Sequence, residues 1–360
     1  MRHILRETLF LVWFLAAWYI LALVVSYALY PDYKSDIIDT KESDKTIFQT
    51  SERYIIFALP KILSSPKKKI FFIGASNVRD GFRPKELQSV LPEYEVHNLA
   101  VSGSNITEMH DVVNILQLLP EDLMKKSVFV IGIWYGSFVD DEKHWGTANS
   151  SVITEALRYG LYRLDSGKPK LRVKMDYLSY ATVLLRPCLF LQRLITKVYV
   201  YGDRLRTFAH NLLRKKRIDF SAVFNPRRPG LDEAYKRVAL RRWQDFMGTK
   251  NGSFKDEQFE KFLDLSKLVN KSGAMLLIVD MPLPEWHRRG SPYWRNYQKK
   301  KNYYINEALK LGNVRYVDLE LEIEDKDFRD SVHPQPEVTK QWGILLKTYI
   351  YQDEHRSTTL

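Results

Sequence analysis

Residues 9–30 read LFLVWFLAAWYILALVVSYALY, 22 positions without a charge. As an α-helix this run is about 33 Å long, enough to cross a hydrocarbon layer of roughly 30 Å. A helix packed in a soluble core would carry a polar side, whereas Trp13, Trp18, Tyr19, Tyr27 and Tyr30 leave none. A cleaved signal peptide would have a shorter apolar stretch and end in small residues of the Ala-x-Ala kind, which are missing here. Arg2 and Arg6 precede the run, and Asp32, Asp36 and Asp39 follow it. By the positive-inside rule the start stays in the cytoplasm and the remainder lies outside. The expectation is a single-pass protein: 1–8 inside, 9–30 a transmembrane anchor, 31–66 a polar stem with a short helix near Tyr54–Leu63.

The chain has 360 residues, enough for a sizeable core beyond the anchor. Its net charge of +12 is concentrated. Residues 161–250 hold 21 Lys and Arg against 7 Asp and Glu, while the rest holds 34 against 36. An anionic partner for that segment follows. Behind a secretion anchor nucleic acid is not expected; a lipid bilayer surface or an acidic polymer fits better. Cys188 is the single cysteine, which rules out an internal disulfide framework. No CxxC or HxxxH spacing occurs, so neither a metal nor a cofactor is expected.

Beyond the stem, short apolar runs alternate with amphipathic ones. Strands are predicted at Lys69–Ile73, Tyr94–Leu99, Ser127–Ile133, Ala274–Val279 and Val314–Leu319. Helices are predicted at Phe82–Leu91, Asn105–Leu119, Lys255–Lys271 and Tyr297–Leu311. Such alternation implies right-handed crossovers and a parallel sheet of the α/β class. Residues 67–149 and 251–350 thus form two parts of one domain, with a tail at 351–360. A helical basic insert at 150–250 separates them. Within it Tyr177–Tyr201 is apolar, yet Arg186, Arg193, Lys197 and Arg204 recur at spacings of 7, 4 and 7, on one helix face. That pattern suits either a helix lying in a membrane interface or a helical cap with a solvated charged face. RKKR at 214–217 and Arg227-Arg228 extend the basic surface.

In parallel sheets ligands bind beyond the carboxyl ends of the strands, so the loops there carry the chemistry. The first is Gly74-Ala75-Ser76-Asn77, where a glycine permits a sharp turn beside a hydroxyl. The second, Asn98-Leu99-Ala100-Val101-Ser102-Gly103-Ser104-Asn105, is rich in small residues that present backbone N–H groups. The third is Gly132-Ile133-Trp134-Tyr135-Gly136. After the last strand comes Asp330-Ser331-Val332-His333-Pro334, where a carboxylate three residues before a histidine suits a base and its orienter. Serine is a poor nucleophile unless such a base takes its proton. The N–H groups of Ser76 and Gly103, with an amide side chain, would receive the oxyanion. Other features point less clearly. Asp141 and His144 repeat the D-x-x-H spacing, and Asn105, Asn149, Asn251 and Asn270 each begin an Asn-x-Ser/Thr triplet.

The order GASN (74–77), NLAVSGSN (98–105) and DSVHP (330–334) resembles the SGNH/GDSL hydrolase superfamily. Ser76 to Phe82, Pro84 and AMLLIVDMPLPEWHRRG (274–290) look like its membrane-anchored branch, the proteins of lipoteichoic acid D-alanylation and alginate O-acetylation. The likeness covers residues 67–145 and 255–348. It implies a flavodoxin-like three-layer parallel sheet with Ser76 as nucleophile, His333 as base and Asp330 as orienter. It also implies placement in the inner (cytoplasmic) membrane, with the catalytic domain periplasmic or extracellular. The substrate class would be an acylated glycan or a lipid-linked substrate, with a membrane-bound O-acyltransferase as partner. One block departs: the superfamily offers asparagine in G-x-N, whereas this chain has Gly132-Ile133-Trp134. Asn105, or the backbone alone, is expected to supply the missing donor, with Asn77 a further oxyanion or substrate contact; Trp134 and Tyr135 either line the substrate cleft or pack under the insert. A non-catalytic assembly protein on the same frame is the rival expectation.

Overall fold

A computed structural model describes residues 2–141, 151–165, 168–172, 175–213, 232–248, 251–319 and 323–351. The basic tract at 214–217, Arg227, Arg228, His144 and Asn149 lie outside the described residues. Seven strands occur in chain order: β1 (Lys68–Ile73), β2 (Tyr94–Asn98), β3 (Val128–Ile133), β4 (Tyr162–Asp165), β5 (Lys168–Leu171), β6 (Met275–Asp280) and β7 (Val314–Asp318). Five of them make one all-parallel sheet in the order β2-β1-β3-β6-β7, and β4 and β5 form a separate antiparallel hairpin. The central strands read as unbroken apolar runs because both faces are covered; β3, VFVIGI, is buried at every position.

Two groups of helices supply the cover. Ile106–Leu116, Glu257–Lys271 and Trp294–Leu309 pack in sequence, each against the next, while Val338–Ile350 packs on Pro84–Leu87 and β7. From β1 the chain moves to β2 on one side and then to β3 on the other, so the loops after β1 and β3 diverge there. Such a switch point opens a crevice at the strand ends. Glycine is required on its floor: a Cβ on Gly74 would sit 2.3 Å from Val78 Cγ2 and 2.9 Å from the Gly132 carbonyl oxygen.

The first loop does not merely turn. Residues Ser76–Gly81 form a short helix directly after β1, which the sequence pattern had assigned to a loop. Its last carbonyls are met by buried partners rather than by a glycine cap. Asn98 Nδ2 donates to the Phe82 carbonyl at 2.5 Å and to those of Val78 and Arg79 at 3.3 Å. Thr339 Oγ1 donates to the Gly81 carbonyl at 2.7 Å, and the Trp342 ring lies against Phe82 with centroids 5.4 Å apart.

Two expectations outside the sheet change. The stem is not a free polar tether: Ile38, Ile47 and Phe48 are fully buried, and Asn98 N–H donates to the Ile38 carbonyl at 2.8 Å, so the stem extends the edge of β2. Within the 150–250 segment, helices Val152–Arg158, Met175–Leu213 and Glu233–Met247 are present. The charged face of Met175–Leu213 is solvated only in part: Lys197 is exposed. Arg186 and Arg193 are buried, and their guanidinium groups donate to carbonyls of Ser26 and Tyr30 and of Asp44 and Thr46, respectively. The helix Arg2–Leu29 contains a stretch, His3–Leu29, long and apolar enough to span a membrane, with a mean hydropathy of 2.4 over an 18-residue window.

Replacing Asn98 with Ala removes the only side chain that serves three carbonyls at the end of the Ser76 helix. A buried acceptor left without its donor costs about 1–3 kcal/mol. Chemical denaturation of Asn98→Ala is expected to show at least that loss, and an unchanged midpoint would contradict the capping role.

Candidate active site

Ser76 is the first residue of its helix, so its own N–H has no intrahelical acceptor and faces outward from the helix start. Its hydroxyl lies 2.8 Å from His333 Nε2. On the other side of the ring, His333 Nδ1 lies 2.7 Å from Asp330 Oδ2 and 2.9 Å from Oδ1. With a carboxylate on Nδ1, that nitrogen carries the proton, and Nε2 is left to accept from the serine hydroxyl. Asp330 Oδ1 also accepts the N–H groups of Val332 (3.0 Å) and His333 (2.8 Å). Burial opposes a charge on Asp330, but His333 and the two N–H groups outweigh it and hold the carboxyl below its ordinary pKa.

The three residues open into a pocket of about 490 Å³. Gly103 lines it with φ +76°, a left-handed conformation that suits glycine. The helix Glu233–Met247 borders it with Tyr235, Trp243 and Phe246, and guanidinium groups of Arg79 and Arg329 also line it. That helix is tied to the Asp330–His333 turn through Ser331: Trp243 Nε1 donates to Ser331 Oγ at 3.2 Å, and Ser331 N–H donates to Tyr235 Oη at 3.3 Å.

A carboxylate joins the nucleophile helix to the histidine turn. Asp80, buried on the Ser76 helix, takes Lys41 at 2.7 Å and also pairs with Arg329, the residue before Asp330. Burial works against its charge, but the Lys41 hydrogen bond and Arg329 lower its pKa below the usual value.

The structure separates the remaining predicted residues. Asn105 does not border the pocket. It is buried as a helix cap, with Oδ1 accepting Glu108 N–H at 3.2 Å and Nδ2 donating to the Val139 carbonyl and Asp141. The asparagine of the Asn-x-Thr triplet is thus inaccessible, although Thr107 is partly exposed. Asn77 is buried too: Oδ1 accepts Val78 N–H at 2.9 Å, and Nδ2 has no hydrogen-bond partner among the described residues. Tyr135 packs in the interior rather than in the cleft, fully buried and stacked on Tyr293. Trp134 does reach the pocket, edge-on to Trp243 with centroids 4.9 Å apart, and its Nε1 is buried without a hydrogen-bond partner.

One residue that sequence reasoning passed over is His287. It is completely buried, with Tyr135 Oη at 2.5 Å from Nε2 and the Ser331 carbonyl at 2.6 Å from Nδ1. The neutral tautomer with Nδ1–H satisfies both contacts: the ring donates to Ser331 and accepts from Tyr135. Burial pushes its pKa down to about 4, against the upward pull of the Ser331 carbonyl and Asp330. The ring thus supports the Asp330–His333 turn from beneath. Its only trace in the sequence is one histidine in the loop after β6, with nothing to pair it to Tyr135.

The sequence matches no protein-family model, and no curated protein matches it.

His287 carries a pH signature. Its folded pKa near 4 lies below the unfolded value of about 6.5, so the unfolded chain takes up a proton first as pH falls. Stability held above pH 6.5 is therefore lost towards pH 4, by about 1.4 kcal/mol per pH unit. His287→Asn keeps an amide N–H near the Nδ1 position but does not titrate. The stability advantage of wild type over this variant is expected to shrink from pH 7 to pH 4; an advantage constant with pH would show that the imidazole is not the buried neutral group.

Proposed function

We propose that the chain is a membrane-anchored serine esterase or acyltransferase with an SGNH-like, flavodoxin-like three-layer domain. In this reading it acts on acyl, acetyl-like esters of a cell-envelope polysaccharide or a lipid-linked glycan. The observation that carries the reading is the 2.8 Å contact between Ser76 Oγ and His333 Nε2 at the wall of the pocket. The strand order β2-β1-β3-β6-β7 supports it, because it is the 2-1-3-4-5 order of flavodoxin-like sheets once the hairpin is set aside. The apolar amino-terminal helix, with arginines before it and aspartates after it, supports an anchor that leaves the domain outside the cytoplasmic membrane.

The chemistry follows from the contacts. Ser76 Oγ attacks the ester carbonyl carbon while its proton passes to His333 Nε2, and Asp330 stabilises the resulting imidazolium through Nδ1–H. The oxyanion of the tetrahedral intermediate faces the N–H groups of Ser76 and Gly103. Its collapse breaks the bond to the alcohol oxygen, which leaves with the proton from His333. Water or a sugar hydroxyl then gives its proton to His333 and attacks the acyl-serine; as the bond to Ser76 Oγ breaks, His333 returns the proton to that oxygen. The basic stretch at 161–250 would face anionic lipid or polymer, or dock a membrane-bound O-acyltransferase.

The second reading, a non-catalytic assembly or binding partner on the same frame, draws on one observation. Trp134 stands where the superfamily's third asparagine would be, and the Asn105 and Asn77 amides lie away from the pocket. Losing one oxyanion donor costs about 100- to 1000-fold in rate.

Ser76→Ala and His333→Ala are each expected to lower hydrolysis of a small activated ester by about 10⁴-fold or more, and Asp330→Asn by a similar order. A fluorophosphonate should label wild type at Ser76 and leave Ser76→Ala unlabelled. Turnover unaffected by all three substitutions, together with no labelling, would replace the enzyme with the binding protein.

A further inference from the structure

Through its middle, the long helix Met175–Leu213 turns Arg186 and Arg193 inward and an apolar stripe outward. Tyr180, Leu184, Cys188, Leu191, Ile195 and Val198 follow one another at spacings of 4, 4, 3, 4 and 3, so they share one face, and all six are exposed. Leu184 is 66% exposed, Ile195 60% and Val198 72%. The stripe contains no charge and runs about 27 Å along the helix. Exposed tyrosines flank it, Tyr177 with Tyr180 at one end and Tyr199 with Tyr201 at the other. Tyrosines collect where hydrocarbon meets headgroups.

The opposite face explains how such a helix carries arginines. Arg186 donates to Ser26 Oγ at 2.9 Å and to the carbonyls of Ser26 and Tyr30, pairs with Asp32, and lies over the Tyr27 ring. Arg193 donates to the carbonyls of Thr46 and Asp44 at 2.5 Å, and Lys197 Nζ reaches Tyr30 Oη at 2.7 Å. In water Arg186 and Arg193 would gain more by facing solvent, as the exposed Lys197 does in part. Turning them onto backbone carbonyls, away from the outer surface, is what a hydrocarbon environment demands.

We propose that the acyl chains of the lipid bilayer cover this stripe, so that Met175–Leu213 lies in the outer leaflet beside the amino-terminal helix. The occupant follows from continuity. Tyr19 Oη donates to the Leu184 carbonyl at 2.7 Å, so a bilayer that bathes the middle of the apolar run 9–30 extends to Leu184. The neighbouring Ile20, Val24 and Tyr27 are exposed on the amino-terminal helix and prolong the same apolar surface. Tyr177–Asp203 is long and apolar enough to cross a membrane, but the course of the chain excludes a complete crossing. Strands β1–β3 before the helix and β6–β7 after it share one sheet, and residues 214–231 offer no apolar run for a return crossing. Nothing in this placement depends on the catalytic reading, since it concerns a different surface.

The only cysteine of the chain supplies the probe. Full-length protein in phosphatidylcholine–phosphatidylglycerol nanodiscs is labelled at Cys188 with a thiol-reactive NBD dye. Blue-shifted emission, loss of most of it to acyl-chain nitroxide lipids and insensitivity to iodide are expected. The same should hold for Val198→Cys in a Cys188→Ser background, which guards against a label that disturbs one site. Tyr303→Cys in that background reports an exposed position on the domain and should show the reverse. Iodide quenching at Cys188 and Val198 would place the stripe in water. Resistance to both quenchers would place it against protein, a second copy or a partner. Either result overturns the proposal.

Discussion

Everything the site can do depends on one hydrogen bond between residues 257 positions apart, from the Ser76 hydroxyl to His333 Nε2. The bond has chemical meaning because both ends are held before any substrate arrives. A serine hydroxyl free to rotate away, or an imidazole free to flip, would meet its partner only part of the time, and the entropy of that search would raise the barrier. Here the serine occupies the first turn of a helix, and the imidazole is fixed on its far side by Asp330, which is itself fixed by two N–H groups of its own turn.

The two ends are also joined to one another by contacts away from the pocket. Asp80, on the serine's helix, pairs with Arg329 on the histidine's turn and with Lys41 from the stem. Asp80 is buried, so removing one cation leaves a charge with too little compensation, a situation that typically costs about 3–5 kcal/mol. The carboxyl-terminal helix adds Thr339 and Trp342 to the far end of the serine's helix. Beneath the turn, Tyr135 and His287 form a neutral hydrogen-bonded pair that ends on the Ser331 carbonyl. Four elements distant in sequence thus converge on two short segments. The geometry of the site is a property of the whole domain rather than of its loops.

Much of this was legible in the residues. Strand positions came through because a parallel sheet covered on both faces needs unbroken apolar runs, and IFFI, VFVIGI and MLLIV are such runs. Ser76, Asp330 and His333 were legible because chemistry constrains their types and because strand ends position them. The amides were not. Asn105 and Asn77 carry the same side chain as an oxyanion donor, and only coordinates reveal that one caps a helix and the other is turned towards its own backbone. Tyr135 and Trp134, adjacent in sequence, diverge for a similar reason: Trp134 begins a tight 3₁₀ turn and lines the cleft, while Tyr135, one position on, is carried inside onto His287. The helical period put Arg186 and Arg193 on one face of Met175–Leu213 but could not say that both point inward.

That orientation bears on the pocket. The helix Glu233–Met247, which contributes Tyr235, Trp243 and Phe246 to the pocket wall, is the next described element after Met175–Leu213. Trp243 and Tyr235 grip Ser331, between Asp330 and His333. The wall of the pocket and the base therefore share a mechanical connection, and the same stretch of chain begins at the helix tied to the amino-terminal helix by Arg186. A tether that fixed only the amino terminus would leave the pocket free to turn in any direction. Arg186 and Arg193 add a second attachment: they bind the long helix to Ser26 and Tyr30 at the end of the first and to Asp44 and Thr46 in the stem. Two separate attachments restrict rotation about either one, so the pocket keeps a defined attitude to whatever surface the amino-terminal helix enters.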